Sequence, residues 1–173
     1  MTYFTEYDSD LIGTLTFASD GERLVGCWFG NDRHFGYGVK GPLVRDDTLP
    51  FFTQVREWFD RYFANDKPDP RELLLGAYAT EFQMRVRKAM LDIPYGKTTT
   101  YGAIAKRIEQ ETGKRQSARA VGGAVGRNPL CIIVPCHRVI GSDGSLTGFG
   151  GGIDVKVRLL EHETGADWHS VRV

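Results

Sequence analysis

Apolar positions change their period partway along the chain. In the first forty residues they fall in short runs separated by turn residues. Leu11 to Phe17 alternates in part, Ser19-Asp20-Gly21 marks a turn, and Leu24 to Phe29 follows. This predicts a β-hairpin, extended by strands around Tyr3 and Tyr37. Phe52, Val55, Phe59 and Tyr62 then share one stripe and predict a helix over 51–63. Asn65-Asp66-Lys67-Pro68-Asp69-Pro70 breaks it and reads as a linker.

From residue 81 onward helical spacing prevails. Phe82, Val86, Ala89 and Met90 line one face, ended by Ile93-Pro94-Tyr95-Gly96. Thr98, Thr99 and Thr100 are N-cap candidates for a helix carrying Tyr101, Ile104, Ala105 and Ile108. After a polar loop, Ser117 can cap a second helix whose stripe is Ala118, Val121, Gly122 and Val125, and Asn128-Pro129 stops it. Two such helices form a helix-turn-helix candidate, a pattern shared with ordinary packing units. The chain therefore reads as α+β. A small β-rich N-terminal domain with its linker covers 1–80, and a mostly helical domain covers 81–173.

One stretch carries chemistry. Leu130-Cys131-Ile132-Ile133-Val134 is a short apolar run, predicted as a buried strand, delivered into Pro135-Cys136-His137-Arg138. A thiol beside an imidazole is the minimal kit for an activated thiolate; a lone cysteine is more often a small buried hydrophobe. Three polar or ionisable residues in succession shift that balance toward chemistry. Adjacent residues of a strand face opposite ways, so Cys136 and His137 can meet only at a bend or through a water. A base also needs an orienting partner. On a last helix over about 154–163, Glu163 continues the inner stripe of Leu159 and Leu160, which makes it either the partner of His137 or a solvated helix end. Between them, 141–152 is a glycine-rich loop. It either brings backbone donors to a flat ligand or forms a surface excursion.

Charge adds an asymmetry to this picture. The net charge is zero, yet residues 1–80 carry 8 Lys and Arg against 13 Asp and Glu, and residues 81–173 carry 14 against 9. Lys97, Lys106, Arg107, Lys114, Arg115, Arg119, Arg127 and Arg138 face only Glu109 and Glu111 within 97–138. Such a segment can contact a polyanion locally. No run is long and apolar enough to span a bilayer, and Met1 to Glu6 has no signal-peptide character. Three cysteines without a CxxC spacing argue against a disulfide framework or zinc ribbon and suit a cytoplasmic protein.

In this order and spacing, the pieces resemble the O6-alkylguanine-DNA alkyltransferase family. The match runs from Glu81 to Glu163. It includes Ile93-Pro94-Tyr95-Gly96-Lys97-Thr98, Tyr101-Gly102, Arg119-Ala120-Val121-Gly122-Gly123-Ala124, Asn128-Pro129, Pro135-Cys136-His137-Arg138-Val139 and Lys156 to Glu163.

The resemblance implies a ribonuclease H-like first domain and a single-use transfer of an alkyl group from O6-alkylguanine in double-stranded DNA to Cys136, without metal or organic cofactor, by a monomer. It leaves O4-alkylthymine open as a second substrate. It implies a relay through His137 and Glu163 with a water, a proton donated by Tyr101, and a turn buttressed by Asn128. DNA would be held in the minor groove by Ala118, Arg119, Ala120, Gly122 and Gly123. Arg119 would enter the stack and Tyr101 would press the phosphate as the base flips. Val139, Phe149 and Gly150 would wall the base.

Arg87 departs from the family's usual tryptophan, and the first 80 residues match poorly. Cys27 and His34 supply no convincing four-ligand zinc set. A lesion-binding protein without a nucleophile, a cysteine hydrolase and a plain DNA-binding regulator are the rival readings. None accounts for Cys136, His137, Glu163 and Arg119 together.

Overall fold

Three strands build an antiparallel meander: β1 (Thr2–Ser9), β2 (Gly13–Ser19) and β3 (Leu24–Phe29). A short β4 (Leu43–Arg45) adds parallel to β1, giving the order β3-β2-β1-β4. The computed structural model describes residues 1–76, 79–146 and 148–169. Tyr37, expected in a strand, lies instead among tight turns whose sharpest points are Gly36 and Gly38 at positive φ. The added strand falls at Leu43, where a residue run returns beside Thr2.

Helix α1 (Pro50–Phe63) packs its apolar stripe onto the sheet. Phe59 stacks on Phe17 at 5.0 Å, and Tyr7 lies against both rings. The remaining helices are α2 (Glu81–Leu91), α3 (Tyr101–Thr112), α4 (Ala118–Gly126) and α5 (Ile153–Thr164), with a two-stranded parallel pair, β5 (Thr99–Thr100) and β6 (Val139–Ile140), between them. Caps explain where α2, α3 and α4 start. Thr80 and Gln83 form a capping box, Thr100 Oγ1 accepts from Ala103 N at 3.0 Å, and Ser117 Oγ accepts from Ala120 N at 3.0 Å. Gly113 ends α3 at φ 71°. The stripe of α4 differs from expectation at its first member: Val121 and Val125 are buried, but Ala118 is exposed, because the first turn projects beyond the body of the protein.

A large apolar cluster takes residues from both sides of residue 80, from Phe17, Trp58 and Tyr62 to Ile104, Val121, Ile133 and Leu159. Its seam is the edge of β3 that no other strand of the sheet covers. Cys27 N donates to Pro129 O at 2.7 Å, and Cys131 N donates to Cys27 O at 3.1 Å. Residues 130–134 do not continue as the expected strand. After Leu130 pairs with Cys27, Ile132 takes φ 73° and the chain doubles back so that Cys131 bridges to Val134. A left-handed β-branched residue is strained, and the hairpin-like fold is held from outside, as described below. No helix among the described residues is long and apolar enough to cross a membrane.

Candidate active site and nucleic-acid interface

The returning segment ends in a single 3₁₀ turn, Cys136–Arg138, all three residues buried. This turn is the bend that adjacent thiol and imidazole groups require. Asn128 holds its approach: the side-chain amide donates to Val134 O at 2.9 Å and its oxygen accepts from Leu130 N at 3.1 Å. One buried side chain thereby closes the loop that Ile132 opens.

Behind the turn lies a fully buried carboxylate. Glu163 Oε2 accepts from His137 Nε2 at 2.5 Å and from Tyr62 Oη at 2.6 Å; Oε1 accepts from Arg138 Nε at 2.6 Å and from Gly96 N at 3.2 Å. Burial by itself would raise this carboxyl, but His137 and Arg138 outweigh it and hold Glu163 well below the usual carboxylate range. Glu163 is therefore ionised and fixes the imidazole as an Nε2–H donor. Burial pushes His137 below the ordinary imidazole value, against the pull of Glu163 and with help from Arg138 and Lys156. The ring is neutral near pH 7. Its Nδ1 is buried and has no partner among the described residues, so the basic lone pair is free on the side away from Glu163.

Cys136 itself is lowered below an ordinary thiol. The Cys131 thiol is the main cause, opposed by burial and supported by Asn128 and Lys156. Lys156 is a buried lysine whose Nζ donates to Val139 O at 2.6 Å and lies 5.9 Å over the Tyr101 ring. Burial brings it down to about 8, while Cys136 pulls it back up. A lysine, a second thiol and the Asn128 amide thus lower this sulfur, the environment that favours a thiolate.

The sulfur opens into a cavity of about 840 Å³. Tyr101, Ala118, Arg119, Gly122, Gly123, Asn128, Phe149 and Gly150 border it together with Cys136. Ala120 lies on the adjoining groove, which Arg119 and Gly123 share. Val139 is buried behind the wall rather than on it, paired with Thr99 and holding Lys156 through its carbonyl. Thr147 of the glycine-rich loop lies outside the described residues. The loop's glycines answer a packing demand from the first half of the chain. A Cβ on Gly150 would come within 2.6 Å of Asp32 Oδ2, and one on Gly151 within 2.7 Å of the Phe29 ring.

Basic side chains divide into two groups. Arg107 is tied to Asp92 and Glu111, and Arg138 is buried on Glu163, so neither belongs to an open cationic face. Lys106, Lys114, Arg115, Arg119 and Arg127 stay exposed around α3 and α4. Arg119 forms no ion pair among the described residues, and it sits on the rim of the cavity that holds Cys136. Arg87 is buried and donates to Gly76 O at 2.8 Å, so it fastens the two halves instead of filling space as an aromatic ring would.

Tyr62, Arg138, Lys156 and Asp32 were given no site role of their own from sequence. Lys156 could have been given one, since it lies on the same i, i+4, i+7 stripe as Leu160 and Glu163. Tyr62 and Asp32 come from the other half of the chain and have no local signal.

A family model described as the DNA-binding domain of 6-O-methylguanine DNA methyltransferase matches residues 81–165. The methylated-DNA–protein-cysteine methyltransferase of Haemophilus influenzae is 40% identical over 161 residues, covering 93% of this chain and 86% of its own. That of Methanosarcina acetivorans is 47% identical over 164 residues, covering 93% and 97%. Among solved structures, Mycobacterium tuberculosis OGT in complex with DNA has a TM-score of 0.81 at 41% identity, covering 94% of this chain and 93% of that one.

Proposed function

The chain belongs to the 6-O-methylguanine DNA methyltransferase family, and from that premise we propose that it transfers the alkyl group of O6-alkylguanine in duplex DNA to Cys136, once per molecule. The observation that carries this reading is the Glu163–His137 pair at 2.5 Å behind a thiol that opens into a cavity shared with Arg119 and Tyr101.

In the reaction, neutral His137 takes the Cys136 proton at Nδ1 through one water, and Glu163 stabilises the imidazolium that results. The thiolate attacks the alkyl carbon. A carbon–sulfur bond forms, the bond from that carbon to O6 breaks, and guanine leaves with a proton supplied by Tyr101. The thioether is stable and no neighbouring group removes it, so the thiol is consumed.

The alkyl carbon must align with sulfur, and a stacked base is out of reach. The nucleotide therefore has to leave the duplex. We assign Arg119 to the gap it vacates and Tyr101 to the adjoining phosphate. The small residues Ala118, Ala120, Gly122 and Gly123 let the backbone of α4 approach the minor groove. Phe149 and Gly150 wall the extruded base, while Val139 acts from behind by placing Lys156. We read 81–173 as the DNA-binding and active-site domain, with 1–80 bracing it through Tyr62, Asp32 and the β3 edge.

The test is the intact mass of the protein after incubation with a duplex containing O6-methylguanine. One added methyl per chain on Cys136, absent in Cys136→Ala, is expected. Repair of many lesions by substoichiometric protein would overturn the single-use mechanism. No mass change would leave a binding protein.

A further inference from the structure

Nothing in the transfer chemistry calls for a second cysteine at the acceptor, yet Cys131 borders the same cavity as Cys136. The chain between them doubles back at Ile132, and Asn128 pins both limbs of the return through Leu130 N and Val134 O. The return sets Cys131 opposite Val134, two residues before Cys136. Its Sγ also stands 3.8 Å from Asp32 Oδ2 and 3.9 Å from Asn128 O. A buried cysteine is ordinarily a small hydrophobe. Here it faces a carboxylate and a carbonyl and shares a cavity with a second sulfur, polar surroundings for a residue that only packs.

We propose that Cys131 is a resolving thiol, which captures Cys136 as an intramolecular disulfide when hydrogen peroxide oxidises it. The proposal rests on the reading of Cys136 as a reactive thiolate. That thiolate attacks one peroxide oxygen, forming a sulfur–oxygen bond while the oxygen–oxygen bond breaks and hydroxide leaves. The product is the sulfenic acid of Cys136. Cys131 then gives its proton to Asp32 Oδ2, and its sulfur attacks the Cys136 sulfur. The sulfur–sulfur bond forms, the sulfenic oxygen departs as hydroxide, and a proton makes it water. The two sulfurs have lost two electrons, and peroxide has gained them.

The consequence is protective. A sulfenic acid left alone proceeds to sulfinic and sulfonic acids, which thiols do not reverse, whereas a disulfide returns by exchange. For a molecule that spends its thiol only once, the difference is between a recoverable and a lost acceptor. Cys27 is the internal control. It is fully buried and does not border the cavity.

The experiment uses the full chain, wild type and Cys131→Ala, treated with limiting hydrogen peroxide and digested with trypsin. Residues 128–138 form one tryptic peptide holding both sulfurs, since Arg127 and Arg138 flank it. In wild type this peptide should lose two hydrogens, and dithiothreitol should restore alkyl uptake from a methylated duplex. In Cys131→Ala it should gain two or three oxygens on Cys136, with uptake permanently lost. Wild-type protein with oxygens on Cys136 and no hydrogens lost would overturn the proposal, as would a bridge to Cys27. The wild-type result decides the matter even if the variant does not fold. Alkyl uptake by untreated protein is read in parallel, so a failure of the acceptor assignment is seen separately from a failure of the disulfide.

Discussion

Tyr62→Phe isolates a single hydrogen bond between α1 and the buried carboxylate. The Tyr62 ring is held by its neighbours. It stacks on Trp58 at 5.7 Å with an interplanar angle of 8° and meets Tyr95 edge-on at 5.8 Å. Phenylalanine keeps those contacts and removes only the hydroxyl that donates to Glu163 Oε2 at 2.6 Å. A hydrogen bond to a charged group contributes about 1.5–3 kcal/mol. Glu163 retains three other donors, so no charge is stranded and the loss should stay inside that range. For a chain of this size, Tm falls by roughly 2–4 °C per kcal/mol. Urea denaturation should show a lower midpoint at unchanged slope. The cause is checked by a double-mutant cycle with Glu163→Gln: the two changes should couple strongly, because they share one contact. A loss below about 0.5 kcal/mol, the size expected of an indifferent surface change, would refute the reasoning. So would an equal loss from Tyr62→Phe in both backgrounds. Alkyl uptake should still reach one per chain, since Arg138 and Gly96 keep Glu163 on His137.

Three further outcomes follow from the same geometry. Asn128→Ala leaves Leu130 N buried and unpaired, at about 1–3 kcal/mol, while Val134 O keeps its bond from Cys136 N at 2.8 Å; denaturant titration should show the loss. Gly151→Ala drives a methyl into the Phe29 ring; overpacking costs about 1–3 kcal/mol, measured the same way, and Gly150→Ala meets the Asp32 carboxylate in the same manner. Glu163 titrates below the usual carboxylate range when folded, so its contribution is present above that range and lost as pH falls through the folded value. Stability measured down the acid limb should therefore drop less steeply in Glu163→Gln than in wild type.

What sequence alone determined is what is encoded locally. Helix starts are written by Thr100 and Ser117 and a stop by Asn128-Pro129, because caps and breakers act within a turn of themselves. The pairing of Glu163 with His137 was one of two readings open in sequence: helical periodicity puts Glu163 on an inner stripe, where a buried carboxylate needs a partner, and the fold chose it over a solvated helix end. Tertiary structure decided the rest. Leu130 to Val134 has the composition of a strand but folds back at Ile132, since Asn128 and the β3 edge claim its backbone groups. Arg138 reads as one more basic residue, yet it is buried and keeps Glu163 charged so that His137 can remain neutral. Tyr62 and Asp32 reach the site across 101 and 99 residues of chain. No local pattern encodes such contacts, because they exist only once a shared core has brought the two halves together.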